Sequence, residues 1–396
     1  MSWPTVKLGD CVQPVKNWNP LRAGDTDTFS YIDIASVDQI RKKILDVKLL
    51  ECKNAPSRAR QLVATDDVLV STVRPNLNAV AIVQPSLHQA TASTGFCVIR
   101  ANPSLLDSAY LFNWVQTSVF IGDMVNKATG ASYPAVTDKI IFDSEIPLPP
   151  LAEQKRIAAI LDKADEIRRK REQTIAKLDQ LAQSIFVEMF GDPISNAKGY
   201  KTGELGSGIT LVGGGAFKSS DFLDDGIPLI RIGEVNRQNF DGDGLRYLPT
   251  DFENQYSRFI VKNGDLLMSL TGTTGKDDYG NVTLVNGAYK RYFLNQRVAL
   301  IRPIENIFIN EYLLYFLKNK DIKNRLITRS RGVRQANISN GDITSLAVQF
   351  PPLASQIKFQ TIIQKINECM ATANNKLVKS NLLFNSLQHQ AFTGNL

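Results

Sequence analysis

A chain of 396 residues with 43% hydrophobic content is long enough for two domains and apolar enough for ordinary cores, which excludes a disordered protein. Its 46 basic and 39 acidic residues leave +7, which permits a polyanionic partner without demanding one. Four scattered cysteines with no C-x-x-C pair, and two isolated histidines, His88 and His389, argue against a zinc site and for a reducing compartment.

No signal-like apolar core opens the chain, and no stretch approaches the ~20 apolar residues of a membrane span, so a soluble, cytoplasmic protein without membrane contact is expected. Apolar, β-rich runs come first, "VLVSTV" from Val68 and "AVAIV" from Ala79. The spacing of Tyr110, Phe112 and Trp114 predicts one helix over roughly Leu106 to Lys127. A loop, "KATGASYPAVT", follows, and then "PLPPLAEQKRIAAILDKADEI" from Pro147. Proline is tolerated in a first helical turn because its missing N–H is not needed there, so Pro150 opens a helix. From Ile157 through Leu161, Leu178 and Ala182 to Phe190 its apolar residues form a near-heptad stripe, about 55 Å long at ~1.5 Å per residue. A stripe of this kind needs a partner.

The chain then repeats itself. "PLIRIGEV", "DLLMSL" and "RVALIR" are the strand runs of the second copy, Asn310 to Thr328 is its predicted helix, and "TRSRGVRQANIS" its loop. "QFPPLASQIKFQTIIQKINEC" opens the second arm, with Pro352 202 residues after Pro150. Gly130 and Gly332, Tyr110 and Tyr312, Arg100 and Arg302, and Phe190 and Phe392 keep the same separation, whereas Ser71 and Ser269 are 198 apart and Gly9 and Gly206 are 197 apart. This is a tandem duplication joined near "FGDPISNAKGYKTGE". Residues 1–149 and 194–350 are expected to form two globular α/β (α+β) units, and 150–193 and 351–396 two long helices. The related stripes can pair as an antiparallel coiled coil with pseudo-two-fold symmetry; the alternative is that each arm folds back on its own globular unit.

The order of these motifs, with "PPLAEQ" or "PPLASQ" opening a heptad helix twice, a first arm closing in "MFGDP" and a second in "HQAFTGNL", resembles the specificity subunit of type I restriction-modification systems over essentially the whole chain. The second copy departs from the first where Ser355 replaces Glu153 and the charged "DKADEIRRKRE" becomes the more neutral "QKINECMATANN". The resemblance implies two target-recognition domains, each reading half of a bipartite double-stranded DNA sequence. It implies helices that act as spacer and as docking site for two modification subunits. Those subunits would use S-adenosylmethionine to methylate adenine, and a translocase-nuclease restriction subunit would join for cleavage. The specificity subunit would hold no cofactor and catalyse nothing itself.

The motifs themselves speak against methyl transfer, nucleotide binding and a calcium loop, and leave open a nuclease built on paired acids and a lysine. An adenine methyltransferase needs an Asn/Asp-Pro-Pro-aromatic element, and neither "PLPPL" nor "QFPPL" provides it. "LVGGGAFKSS" and "LTGTTGKDD" both fail the P-loop pattern, and "DGDG" at Asp241 is too short for a calcium loop. Candidate DNA-binding residues are guanidinium and amide side chains suited to base edges, together with cations suited to phosphates. In the second copy these are Arg329, Arg331, Arg334, Gln335 and Asn337, then Lys218, Ser219 and Arg231 around the glycine-rich stretch, and Lys276. In the first they are Lys127, Ser132 and Tyr133 at matching loop positions, with Arg74 and Asn76. A structural adaptor, with helices that gather partners and no DNA readout, is the alternative function.

Overall fold

A computed structural model describes residues 3–24, 27–242, 244–276, 278–329 and 335–396, excepting the side chain of Gln335. The chain divides into two compact units, Met1–Gln173 with Asn374–Leu396, and Thr174–Ala373. Both divisions fall inside long helices, Leu151–Phe190 and Leu353–Thr393, so each unit contains part of both arms.

The duplication in sequence is a duplication in topology. In the first unit one four-stranded sheet runs in the order Val12–Gln13, Phe96–Ala101, Val68–Ser71, Val80–Ile82. Its counterpart in the second unit runs Ile209–Gly213, Val298–Pro303, Leu266–Ser269, Val282–Leu284. A second sheet in each unit contains one parallel pair, Thr91↔Tyr31 and Leu229↔Phe293 respectively. A short antiparallel pair ties the start of each copy to its end, Val6↔Ile146 and Gly203↔Val348.

Polar interactions that fix the frame also come twice. Arg100 donates from Nε and Nη2 to both oxygens of Asp67, at 2.8 and 2.7 Å, and Arg302 does the same to Asp265 at 2.8 and 2.6 Å. Tyr110 Oη donates to Pro147 O at 2.8 Å, as Tyr312 Oη does to Gln349 O at 3.0 Å. The repeated Pro-Pro-Leu-Ala-x-Gln phrase has its explanation here. Gln154 is fully buried; its Oε1 accepts from Asp107 N at 2.9 Å, and its Nε2 donates to Leu105 O and Pro149 O at 2.9 and 2.8 Å. Gln356 repeats the set with Ile309 N, Ile307 O and Pro351 O at 3.0, 2.9 and 3.0 Å.

Each arm ends in a core made largely by the other copy. Phe190 packs against Tyr312 with ring centroids 5.0 Å apart, and Phe392 lies 5.1 Å from both Tyr110 and Trp114. Within the first unit the helix segments are antiparallel: Arg156 reaches Leu396 O, Arg168 lies over the Phe384 ring, and Arg171 reaches Lys376 O and Ser380 Oγ. In the second unit Phe186 and Phe190 of the first arm meet Phe359 of the second, and the half-buried Leu178 joins the same core.

The single helix expected after the strands is two helices in each copy. Ser108–Trp114 and Ser118–Lys127 replace the first, and Asn310–Lys318 and Lys320–Arg329 the second. Polar side chains restart the backbone at the break. Thr117 Oγ1 accepts from Phe120 N at 3.2 Å, and Asn319 Oδ1 accepts from Asp321 N and Ile322 N at 3.0 and 3.2 Å. The apolar pattern continues through both breaks, so Trp114, Tyr315 and Phe316 are still buried.

Replacing Gln154 or Gln356 with Leu keeps the volume but strands one N–H and two carbonyls inside the protein. Each variant should lose about 2–4 kcal/mol of stability in urea denaturation. An unchanged transition midpoint for either would show that the amide does not anchor that arm.

Candidate nucleic-acid interface

In the first unit, backbone geometry brings together two loops far apart in sequence. Thr129 and Ala135 exchange two hydrogen bonds of 2.9 Å, closing a loop in which Gly130 takes φ +101°. A Cβ there would lie 2.9 Å from Tyr133 O, so the position requires glycine. Val73 bridges Ala135, and Arg74 N donates to Pro134 O at 2.7 Å. This places the Arg74 guanidinium 4.7 Å from the centroid of the Tyr133 ring, which is 68% exposed. Asn76 and Ser132 are exposed on the same two loops. Lys42 Nζ donates to Asn78 O at 2.5 Å and joins a third segment to them; burial, and secondarily Arg168, lowers its pKa. Lys127 ends its helix in an exposed ion pair with Asp123 at 2.8 Å.

The second unit uses the same frame with other side chains. Leu270 N donates to Arg297 O and Ile338 N to Leu270 O, as Thr72 N does to Gly95 O and Val136 N to Thr72 O. Strand Thr271–Thr273 pairs with Gln335–Asn337, in register Thr271↔Asn337, where the first unit has the single Val73 bridge. Asn337 is exposed on this ladder, and Lys276 is exposed in the turn that follows Thr273. Arg329 ends the preceding helix, with Nη1 3.2 Å from Ser345 Oγ. Arg331 and Arg334, together with the Gln335 side chain, lie outside the described residues.

The remaining candidates divide by what already holds them. Lys218 and Ser219 are exposed, and Lys218 N donates to Asp221 Oδ2 at 2.9 Å. The glycines before them serve the core: a Cβ on Gly214 would lie 2.1 Å from Asn295 O, beside the bridge from Gly215 to Asn295. Arg231 is half-buried, with Nη2 on Gly244 O at 3.0 Å and on Glu234 at 3.4 Å. Glu234 also holds Arg237 at 3.0 Å. Arg231 is thus engaged in closing its own helix start, a role its i,i+3 spacing to Glu234 could have revealed. Arg297 and Asn236, which line a cleft beside Thr271–Thr273, are absent from the residues singled out by sequence. The signal for Arg297 was present, since Gly95 stands opposite it at the 202-residue offset.

Among the described residues no group of three or more His, Cys, Asp and Glu side chains could hold a metal ion, and no helix is long and apolar enough to cross a membrane.

The family model for the type I restriction modification DNA specificity domain matches residues 60–180 and again 197–379, once per repeat. The chain is 23% identical to the type I restriction enzyme MjaVIII specificity subunit of Methanocaldococcus jannaschii, over 89% of this chain and 83% of that one. It is 24% identical to the EcoKI specificity subunit of Escherichia coli K12, over 85% and 76%. A solved chain from work on complex assembly and conformational transition of the type I R-M system superposes with a TM-score of 0.59 at 25% identity, covering 100% of this chain and 98% of that chain. The fold is shared also with the S subunit from M. genitalium, at a TM-score of 0.55 and 14% identity, over 99% and 96%. The chain belongs to the type I restriction-modification DNA specificity family, and it is a non-catalytic DNA-specificity subunit.

Proposed function

We propose that residues 1–149 and 194–350 are two target-recognition domains, each reading one half of a bipartite double-stranded DNA site, and that the two long helices set the separation of the halves. The observation that carries this reading is one backbone frame, built twice, that presents different chemistry at equivalent loop positions: Val73 and Arg74 where the other copy has Thr271 and Gly272. Two half-sites of different sequence need that arrangement. The helices dock two modification subunits, which bring S-adenosylmethionine and the methyl transfer; a restriction subunit adds translocation and cleavage. The chain itself needs no cofactor. No observation favours an adaptor without DNA readout.

Co-expression with the modification subunit, followed by genome-wide mapping of methylated adenine, tests the proposal directly. The expected product is a motif with two fixed halves and an unspecified spacer. Purified chain alone, given S-adenosylmethionine and DNA, should transfer no methyl groups. Binding to duplex DNA should fall linearly in log–log form with salt, as phosphate contacts require and an adaptor does not.

Arg74 and Tyr133 should act as one reader. Each single alanine variant is expected to relax the same position of the same half-site. In a double-mutant cycle of DNA binding the two should couple by about 0.5–1 kcal/mol, the size of an exposed cation–π contact. Additive losses, or losses in different halves, would separate the two residues.

Helix length supplies a further test. Four residues inserted after Gln173 and four after Ala373, where both helices pass from one unit to the other, add roughly 6 Å to each arm and about one helical turn. At roughly 3.4 Å per base pair the spacer of the methylated motif should lengthen by one or two base pairs with both halves unchanged. Retained activity with an unchanged spacer would mean that the helices do not set the separation.

A further inference from the structure

Arg297 is the residue immediately before strand Val298–Pro303, and its carbonyl accepts from Leu270 N at 3.0 Å, which fixes its backbone in the sheet frame. Its exposed side chain lines a cleft of about 350 Å³ with Ile232, Asn236, Thr271, Thr273 and Asp278. The cleft walls are already set. Asn236 Nδ2 donates to Asp278 O at 2.7 Å, Asn236 Oδ1 accepts from Asn281 Nδ2 at 3.0 Å, and Thr273 N donates to Asp278 Oδ1 at 2.8 Å. Gly272 lies close against this wall, where a Cβ would come within 2.9 Å of Tyr279 Cβ as well as 2.2 Å of Asp278 Oδ1. Among the described residues Arg297 makes no ion pair, although Asp278 lines the same cleft. A carboxylate there disfavours a bare phosphate, whereas a base pair presents both acceptors and donors to such a mixed surface.

The first unit has no counterpart. At the same point of its frame Gly95 O accepts from Thr72 N at 2.9 Å, and a Cβ on Gly95 would come within 2.7 Å of Ile34 Cδ1. One copy therefore has a glycine, packed beside the Ile34 side chain, where the other places a guanidinium at the start of a strand. An Arg/Gly difference at equivalent places in two readers is a difference in what they read.

We propose that Arg297 is a specificity-determining residue of the second unit, recognising guanine through the paired O6 and N7 acceptors of its major-groove edge. The inference rests on the reading of this unit as a half-site reader. Arginine satisfies both acceptors with its planar fork, which lysine cannot reproduce.

Arg297→Ala and Arg297→Lys, each co-expressed with the modification subunit and compared with the unaltered protein by methylated-adenine mapping, test it. The unaltered chain should give a bipartite motif. Arg297→Ala should give the same motif with one guanine position of one half made degenerate, its preference reduced about 5- to 150-fold. Arg297→Lys should regain affinity for random duplex without regaining that preference, and melting temperatures should match because the side chain is exposed. If Arg297→Ala does not fold or does not methylate, a degenerate guanine with Arg297→Lys alone supports the assignment. An unaltered motif in Arg297→Ala, or a full motif in Arg297→Lys after uniform loss in Arg297→Ala, overturns it and leaves at most a phosphate contact. Absence of any bipartite motif with the unaltered chain would instead overturn the half-site reading beneath it.

Discussion

Gln154 and Gln356 occupy the same place in the two copies, three residues into each long helix, with no exposed surface and three backbone partners apiece. The chemistry of the site selects the amide. One partner is an N–H and two are carbonyls, so a carboxylate would face two acceptors without a proton to offer, and an apolar side chain would leave all three unmet. Because this contact joins the helix start to the loop ahead of the Ser108–Trp114 and Asn310–Lys318 helices, it fixes the direction in which each arm leaves. The rotational phase of the arm follows. Within the second unit Phe186 and Phe190 meet Tyr312, and within the first Phe384 and Phe392 turn inward. A slip of one residue at the glutamine would turn those rings by about 100°.

The two copies agree in what they bury and differ in what they expose. The bidentate Arg100–Asp67 and Arg302–Asp265 pairs, the Tyr110 and Tyr312 hydroxyls and the glutamines all satisfy internal polar groups. Changing any of these leaves a partner without a hydrogen bond. Exposed positions on the ladders carry no such constraint. Tyr133, Arg74, Asn337 and Arg297 could therefore diverge on a frame that did not.

How much of this was legible in the sequence depended on whether a periodic signal existed. The duplication, the strand runs and both arms were legible because apolar residues recur at strand or helix spacing and the copies keep a constant offset. The breaks at Thr117 and Asn319 were hidden because apolar side chains continue through them; only the capping oxygens mark the interruption. The triple glycine suggested a phosphate approach, but Gly214 yields space to the Asn295 backbone and Gly215 to the Phe217 and Phe259 rings; the contacts with Asn295 and Phe259 are long-range ones that no local pattern carries. For the site, charge alone could not distinguish a free cation from a committed one. Lys127 and Arg231 are held by Asp123 and Glu234, each within one helical turn, whereas Arg74 is held by a tyrosine 59 residues away.

That distinction bears on where a basic chain can hold a polyanion. Most of the first arm's cations are spent within the arm itself: Arg156 on Glu153, Lys163 and Lys170 on Glu166, and Arg168 and Arg169 on Asp165. Hydrogen bonds from Lys163 and Lys170 hold the Glu166 carboxyl down to about 2, so the arm keeps this balance throughout the physiological range. Exposed pairs of this kind add little stability. They do cancel the field that would draw phosphates along the helix, and a screened residual charge acts over only about 8 Å at physiological salt. Lys218, Lys276, Arg297 and Arg329 make no ion pair among the described residues, and all four belong to loops or element ends of the second globular part. On the proposed reading, these uncommitted cations stand close to the side chains assigned to base recognition in the second unit, so binding the backbone and testing the sequence would be one event there rather than two.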